Sequence, residues 1–317
     1  MNQTEFIGTQ AVPKYINPLT DYGFKRIFGN EAYKDLLIDF LNELLSEQGK
    51  IIDLNYLNPE QLGNEENERK VIFDIYCKTD CGKYFIVEMQ KVRQAYFKDR
   101  SIYYSTSPIQ AQAVKGIWDF KLNAVFTVSI VDFILFNDED EKEHYYHDIR
   151  LMEEKTGKVF YDKLVYKYLE LPKFTKSLEE LETNFERWVY LLKTLPRFEN
   201  RPSELKGKIF DKLFQAAEVS RLTSTEMREY NKSIEEDAFV RIVMEQHREE
   251  GERKGIEKGI ERGIEKGVEM RNRQMAINCL HFGLSIEDTS KLTGLSVEDI
   301  AKLNISPFSQ EQVKELI

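Results

Sequence analysis

The stretch that most limits what this chain can fold into is residues 71–90, VIFDIYCKTDCGKYFIVEMQ. Two runs rich in Val, Ile, Phe and Tyr flank Asp80-Cys81-Gly82, the pattern of a β-hairpin. With Gly82 in the left-handed position, a three-residue loop pairs Thr79 with Lys83 and so sets the register. Counting back, Tyr76 faces Ile86, Asp74 faces Glu88 and Ile72 faces Gln90. Strand side chains alternate, so Asp74, Glu88 and Gln90 share one face. The other face (Val71, Phe73, Ile75, Phe85, Val87, Met89) is uninterrupted apolar, as packing against a core requires. Two opposed carboxylates on a half-buried sheet repel each other, and a divalent cation relieves that repulsion. Mg²⁺ is commonly held by one or two carboxylates plus substrate phosphates. The competing reading is two acids on an ordinary solvent face, and a one-residue slip of register would part them.

Composition narrows the partners. The chain has 317 residues, 41% hydrophobic and 12% aromatic, as a folded globular protein does. A formal charge of -10 excludes a broadly basic surface, so any nucleic acid must be held by a local basic groove or by metal ions. No apolar run reaches the roughly 18 residues of a membrane span. The segment MNQTEFIGTQ has neither the basic nor the apolar region of a signal peptide, and three cysteines fit a reducing compartment, so the expected location is cytoplasmic. Cys77 and Cys81 flank the hairpin turn with no further Cys/His pair nearby, and His144 and His147 are likewise alone, which is not the four-ligand pattern of structural zinc.

Taken in order, NPLTDYGFKRIFGN (17–30) predicts a helix capped by Thr20 or Asp21, with Phe24, Ile27 and Phe28 on one face and Gly29 as its stop. A second helix over 32–45 carries Leu36, Leu37, Phe40, Leu41, Leu44 and Leu45 as its stripe. Residues 51–57 read as a short strand and 58–69 as a polar loop. After the hairpin, 91–104 read as a helix with Lys91, Arg93, Lys98 and Arg100, either a phosphate-contacting cluster or an ordinary solvated face. Ser107-Pro108 is expected to break or restart it. Residues 122–134 form a long apolar, β-branched run, a strand buried on both faces in a mixed sheet. The acidic loop 137–143 lacks calcium-loop spacing. Residues 145–152 and 159–171 flank Glu154-Lys155-Thr156-Gly157 as a second hairpin. Helices follow from Ser177 or Glu179 to Leu195, burying Trp188, and then over about 203–219 and 224–246.

Residues 251–270, GERKGIEKGIERGIEKGVEM, repeat every four residues. On a helix each column drifts by about 40° per repeat, and each glycine destabilises by roughly 1 kcal/mol against Ala. The segment is a poor lone helix, so the expected use is a helix for self-association; the alternative is a solvated linker. Beyond it, Gly283 and Gly294 stop helices that Ser285 and Ser296 restart. The layout is that of a helix-turn-helix, but Glu298 and Asp299 stand where a DNA-reading helix needs positive charge. A small packing module is the expected result.

Together, NPLTDYGFKRIFG, FDIYCKTDCGKYFIVEMQ and RSIYYSTSPIQAQAVKG resemble the recombination-promoting nuclease and transposase family of the PD-(D/E)XK superfamily, over roughly residues 15–250. The resemblance implies an α/β fold of restriction-endonuclease type: a mixed four- or five-stranded sheet flanked by helices, with an all-helical C-terminal extension. It implies a nuclease domain over 1–200, a helical extension over 201–250, and the tetrads with their helical module over 251–317. Asp74 and Glu88 match the family's metal-binding acids, Gln90 stands where the superfamily usually has lysine, and Asp21 and Lys25 match its N-terminal motif. The implied activity is Mg²⁺-dependent (or Mn²⁺-dependent) DNA endonuclease chemistry by a homo-oligomer, a dimer joined through its tail. The alternative is a catalytically weak, self-associating regulatory protein on the same fold. Lys91 should leave from the opposite face and cannot replace the missing lysine.

Overall fold

A computed structural model describes residues 13–45, 49–61, 71–137 and 142–303. The chain divides into two compact units, residues 1–239 and 240–317.

In the first unit, helix α1 (Asp21–Phe28) begins where the sequence places it: the Thr20 hydroxyl accepts from the Gly23 N–H at 3.0 Å. Gly23 is required, because a Cβ there would stand 2.0 Å from the Asn17 carbonyl oxygen. Helix α1 stops at Gly29, and α2 follows over Lys34–Leu44. Their apolar stripes meet an aromatic cluster in which Phe28, Phe40 and Phe210 pack around fully buried Trp188, Phe40 edge-on and the other two tilted. Trp188 lies on α4 (Asn184–Thr194) and Phe210 on α5 (Lys208–Ala217). Helix α4 starts later than Ser177 or Glu179 because Ser177 caps only a short 3-10 turn, while Thr183 and Glu186 form the second capping box that opens the α-helix.

The strands are β1 (Leu54–Tyr56), β2 (Glu60–Gln61), β3 (Val71–Ile72), β4 (Ile75–Thr79), β5 (Tyr84–Gln90), β6 (Val125–Val131), β7 (Tyr146–Met152) and β8 (Val159–Glu170). Six of them form a mixed sheet in the order β1-β4-β5-β6-β8-β7, one or two strands more than the resemblance implies. Strand β6 is parallel to both neighbours and buried at every position, as its unbroken apolar run requires. Strands β7 and β8 are antiparallel, the second hairpin. The first hairpin has the expected register: Gly82 sits at φ +85°, Tyr76 pairs with Ile86, and the Thr79 N–H donates to the Lys83 carbonyl.

Above Ile75 the expected ladder fails. Val71 and Ile72 leave the main sheet and pair with Gln61 and Glu60 in a two-stranded ribbon, so Ile72 does not face Gln90. The bend at Asp74 also reverses parity. Phe73 packs against Tyr76 and Tyr104 on the opposite side of the sheet from Ile75 and Val87.

Both faces are therefore covered. Helices α1, α2, α4 and α5 close one with the main core. Helix α3 (Phe97–Gln110) closes the other through hydroxyl pairs, Ser101 to Tyr168 at 2.6 Å and Ser105 to Tyr166 at 2.8 Å. It starts six residues later than Lys91, after Tyr96 turns the chain at φ +62°, and it runs through Pro108. Proline falls in the last turn, so it removes one ladder donor close to the helix end and not in the middle of the helix. Helix α6 spans Ser224–His281.

In the second unit, the tetrads lie within helix α6, and a Cβ at Gly255, Gly259 or Gly263 would meet nothing within 4 Å. Short helices α7 (Ile286–Thr293) and α8 (Val297–Ala301) are capped by Ser285 and Ser296, and Gly294 ends α7 in the left-handed conformation, as the sequence predicts. No helix among the described residues is long and apolar enough to cross a membrane.

Candidate metal centre

The bend at Asp74 brings the two acids together. Where the next ladder pair should form, side chains take over from backbone. The Asp74 N–H donates to Glu88 Oε1 at 3.1 Å, and the Met89 N–H donates to Asp74 Oδ2 at 2.8 Å. Each carboxylate thus has one oxygen fixed, and the other (Asp74 Oδ1, Glu88 Oε2) makes no hydrogen bond among the described residues.

The acids do not lie on a solvent face. Glu88 is 7% exposed, because α3 covers its side of the sheet. Burial pushes the Glu88 carboxyl up to about 8, and the neighbouring Asp74 carboxylate pushes the same way. Burial raises Asp74 too, against the lowering pull of the Met89 N–H, Lys25 and Arg100. Ser129, level with Glu88 on β6, has a buried hydroxyl without a hydrogen-bond partner among the described residues.

This donor set fits a hard divalent cation. Two carboxylates present one open oxygen apiece, and no group of three or more His, Cys, Asp and Glu side chains that could hold a metal gathers among the described residues. The remaining positions then fall to water and phosphate oxygens, the usual share for Mg²⁺.

Of the other expected site residues, Lys25 and Asp21 lie one turn apart on α1, with Lys25 Nζ 2.7 Å from Asp21 Oδ1. Both act on Asp74 through space, Lys25 lowering its pKa and Asp21 raising it. They also line a concavity of about 640 Å³ with Arg26, Glu226, Glu229 and Lys232. That concavity mixes acid and base and contains neither Asp74 nor Glu88, so it adjoins the centre and does not form it. Gln90 faces α3, its Oε1 accepting from Arg100 Nη2 at 2.8 Å and its Nε2 donating to the Val92 carbonyl at 3.1 Å.

The expected basic cluster is dispersed. Lys91 pairs with Asp237, and Lys98 lies over the Phe136 ring at 4.0 Å. Arg100 bonds Gln90 and acts through space on both acids, lowering the pKa of each. Sequence reasoning grouped it with its neighbours. The signal that separates it is the stripe Phe97, Ser101, Ser105 and Pro108, which marks the face of α3 that meets the sheet.

A model of the PD-(D/E)XK nuclease family transposases matches residues 18–241, most of the chain and all of the acid pair's surroundings. The chain belongs to that family. For a PD-(D/E)XK nuclease family transposase, a mixed sheet with flanking helices is the expected framework. No curated protein and no solved structure gives a significant match.

Proposed function

We propose that the protein is a Mg²⁺-dependent DNA endonuclease, with Mn²⁺ as a substitute, working in DNA recombination or mobile-element movement in the cytoplasm. The observation that carries this reading is the pair of half-buried Asp74 and buried Glu88, whose carboxylates accept from the backbone on one edge and leave one oxygen of each acid open.

Asp74 and Glu88 hold the cation, which when bound supplies Lewis-acid chemistry to the scissile phosphate and the attacking water. Gln90 orients that water through its amide. As the water oxygen bonds to phosphorus, the opposite P–O ester bond breaks; the water loses a proton and the leaving oxygen takes one up. Lys25 adds positive charge from α1, partly balanced by Asp21. The tail over 251–317 joins two copies, so that each strand of a duplex meets one centre.

A second reading, a catalytically weak and self-associating regulatory protein, is favoured by Gln90 itself, since an amide brings no positive charge to the developing oxyanion. Nicking of supercoiled plasmid separates the two. Conversion to open circles with Mg²⁺ or Mn²⁺, lost with EDTA and in Asp74→Ala, supports the nuclease. Equal nicking by wild type and Asp74→Ala contradicts it.

A further inference from the structure

We propose that Arg100 is the cationic catalytic residue of this centre, set against Gln90 so that its guanidinium serves the scissile phosphate from helix α3. The inference rests on the nuclease reading and concerns where its positive charge comes from.

Four observations place Arg100 there. Its Nη2 donates to Gln90 Oε1 at 2.8 Å, and its Nη1 donates to Gln94, so the planar fork bridges the end of β5 and the segment leading into α3. Its Cζ lies over two rings, 5.1 Å from the Phe97 centroid and 5.5 Å from that of Tyr104. Such cation–π contacts, together with the two-pronged hydrogen bonding, favour a guanidinium over an ammonium. Its hydrogen-bond and ring partners are neutral, and no carboxylate among the described residues forms a direct ion pair with it, while its charge acts through space on Asp74 and Glu88. Lys25, by contrast, is half exposed and bonded to Asp21. Finally, Arg100 lines an open concavity of about 400 Å³ with Gln94, Tyr96, Asp99, Tyr103 and Tyr104, which leaves its guanidinium reachable from solvent; like the concavity on α1, it contains neither Asp74 nor Glu88.

The helix is held for this task. Ser101 and Ser105, one and five residues on, bond the hydroxyls of Tyr168 and Tyr166 across the sheet. These contacts fix the rotation and height of α3, and with them the direction of Arg100. A hydrophobic interface of the same area would slide more freely, because it lacks directional bonds. Gln90 gains a role from the same geometry. It cannot supply charge, but its amide oxygen accepts from a residue that does.

The charge also has a predictable sign of effect on metal. A fixed cation beside two carboxylates weakens divalent-ion binding while assisting the anionic transition state. Removing it should therefore tighten the metal and slow the chemistry, a divergence that loss of structure does not produce.

The test compares wild type, Arg100→Gln, Arg100→Lys and the double variant Arg100→Gln/Gln90→Lys, each with its melting temperature checked. Mn²⁺ affinity of the metal-free protein is measured by titration calorimetry, and single-turnover cleavage of duplex DNA at saturating metal. Arg100→Gln should cut about 10²–10³-fold more slowly, as when one oxyanion-stabilising donor is removed, yet bind Mn²⁺ up to about tenfold more tightly. Arg100→Lys should recover only part of the rate, and Gln90→Lys in the Arg100→Gln background should recover at least tenfold. Unchanged cleavage by Arg100→Gln overturns the proposal, as does a joint loss of cleavage and Mn²⁺ affinity. If wild type cuts no DNA, the nuclease reading falls by itself; tighter Mn²⁺ binding in Arg100→Gln still places its charge at the centre, and unaltered binding removes it.

Discussion

Asp74 and Glu88 interlock: the Asp74 N–H donates to Glu88 Oε1 at 3.1 Å, and Asp74 Oδ2 holds the N–H of Met89, Glu88's neighbour, at 2.8 Å. The exchange lies just before β4 and bends the chain there, and it sets two acids side by side, Glu88 buried and Asp74 half-buried. The bend and the burial have one cause, so substitutions that relieve the charge should spare the bend.

Glu88→Gln keeps an oxygen that can accept from Asp74 and removes the buried charge. At pH 8.5 without metal it should be more stable than wild type by roughly 1–2 kcal/mol. It should also lose the rise in melting temperature that Mg²⁺ gives wild type. Differential scanning fluorimetry with and without Mg²⁺ measures both effects.

Wild-type stability without metal should fall with rising pH. Glu88 titrates near its ordinary 4.5 when unfolded and near about 8 when folded, so between these values the folded state holds more protons. Stability then decreases with pH across that window. This pair's contribution is fully present below about 4.5 and lost as pH climbs through about 8. A divalent cation replaces the proton, so the gain from Mg²⁺ should grow toward alkaline pH. Urea unfolding at pH 6 and pH 9 checks the sign.

Much of this arrangement was legible in the sequence for a physical reason. Thr20, Gly29, Gly82, Ser285 and Gly294 act within a few residues of themselves, so their caps and turns can be read locally. The register from Gly82 correctly set Tyr76 opposite Ile86 and brought Asp74 to Glu88. The break beyond Asp74 was not legible, because it arises from side chains competing with backbone for ladder bonds. The start of α3 was hidden too. Its buried stripe includes Ser101 and Ser105, polar residues that blur an apolar period, and their tyrosine partners lie more than sixty residues away.

Trp188 anchors α1, the helix that carries Lys25, through Phe28. It is fully buried, and its Nε1 donates to Asp39 Oδ2 at 2.8 Å. Trp188→Ala should reduce unfolding free energy by about 3–5 kcal/mol, read from the urea midpoint of far-ultraviolet circular dichroism. A loss under about 1 kcal/mol would show that the aromatic cluster is not the keystone of this core.

The tetrads make opposite demands on helicity and association. Gly255→Ala, Gly259→Ala and Gly263→Ala together should add helix, since each added methyl meets open space and helps by roughly 1 kcal/mol. If copies cross closely on the glycine rows, the same methyls hold them apart. Light scattering should then show the mass of the triple variant falling to that of a monomer while ellipticity rises. A wild-type mass already monomeric, or one unchanged by the substitutions, argues against association through the tail.

The account stands or falls on whether the two open oxygens share one ion. Crystals soaked in Mn²⁺ and measured at the manganese absorption edge should show one anomalous peak about 2.0–2.3 Å from both Asp74 Oδ1 and Glu88 Oε2. The peak should vanish in Glu88→Gln. Saturating Mn²⁺ with no peak at the pair, or a peak ligated elsewhere, contradicts it.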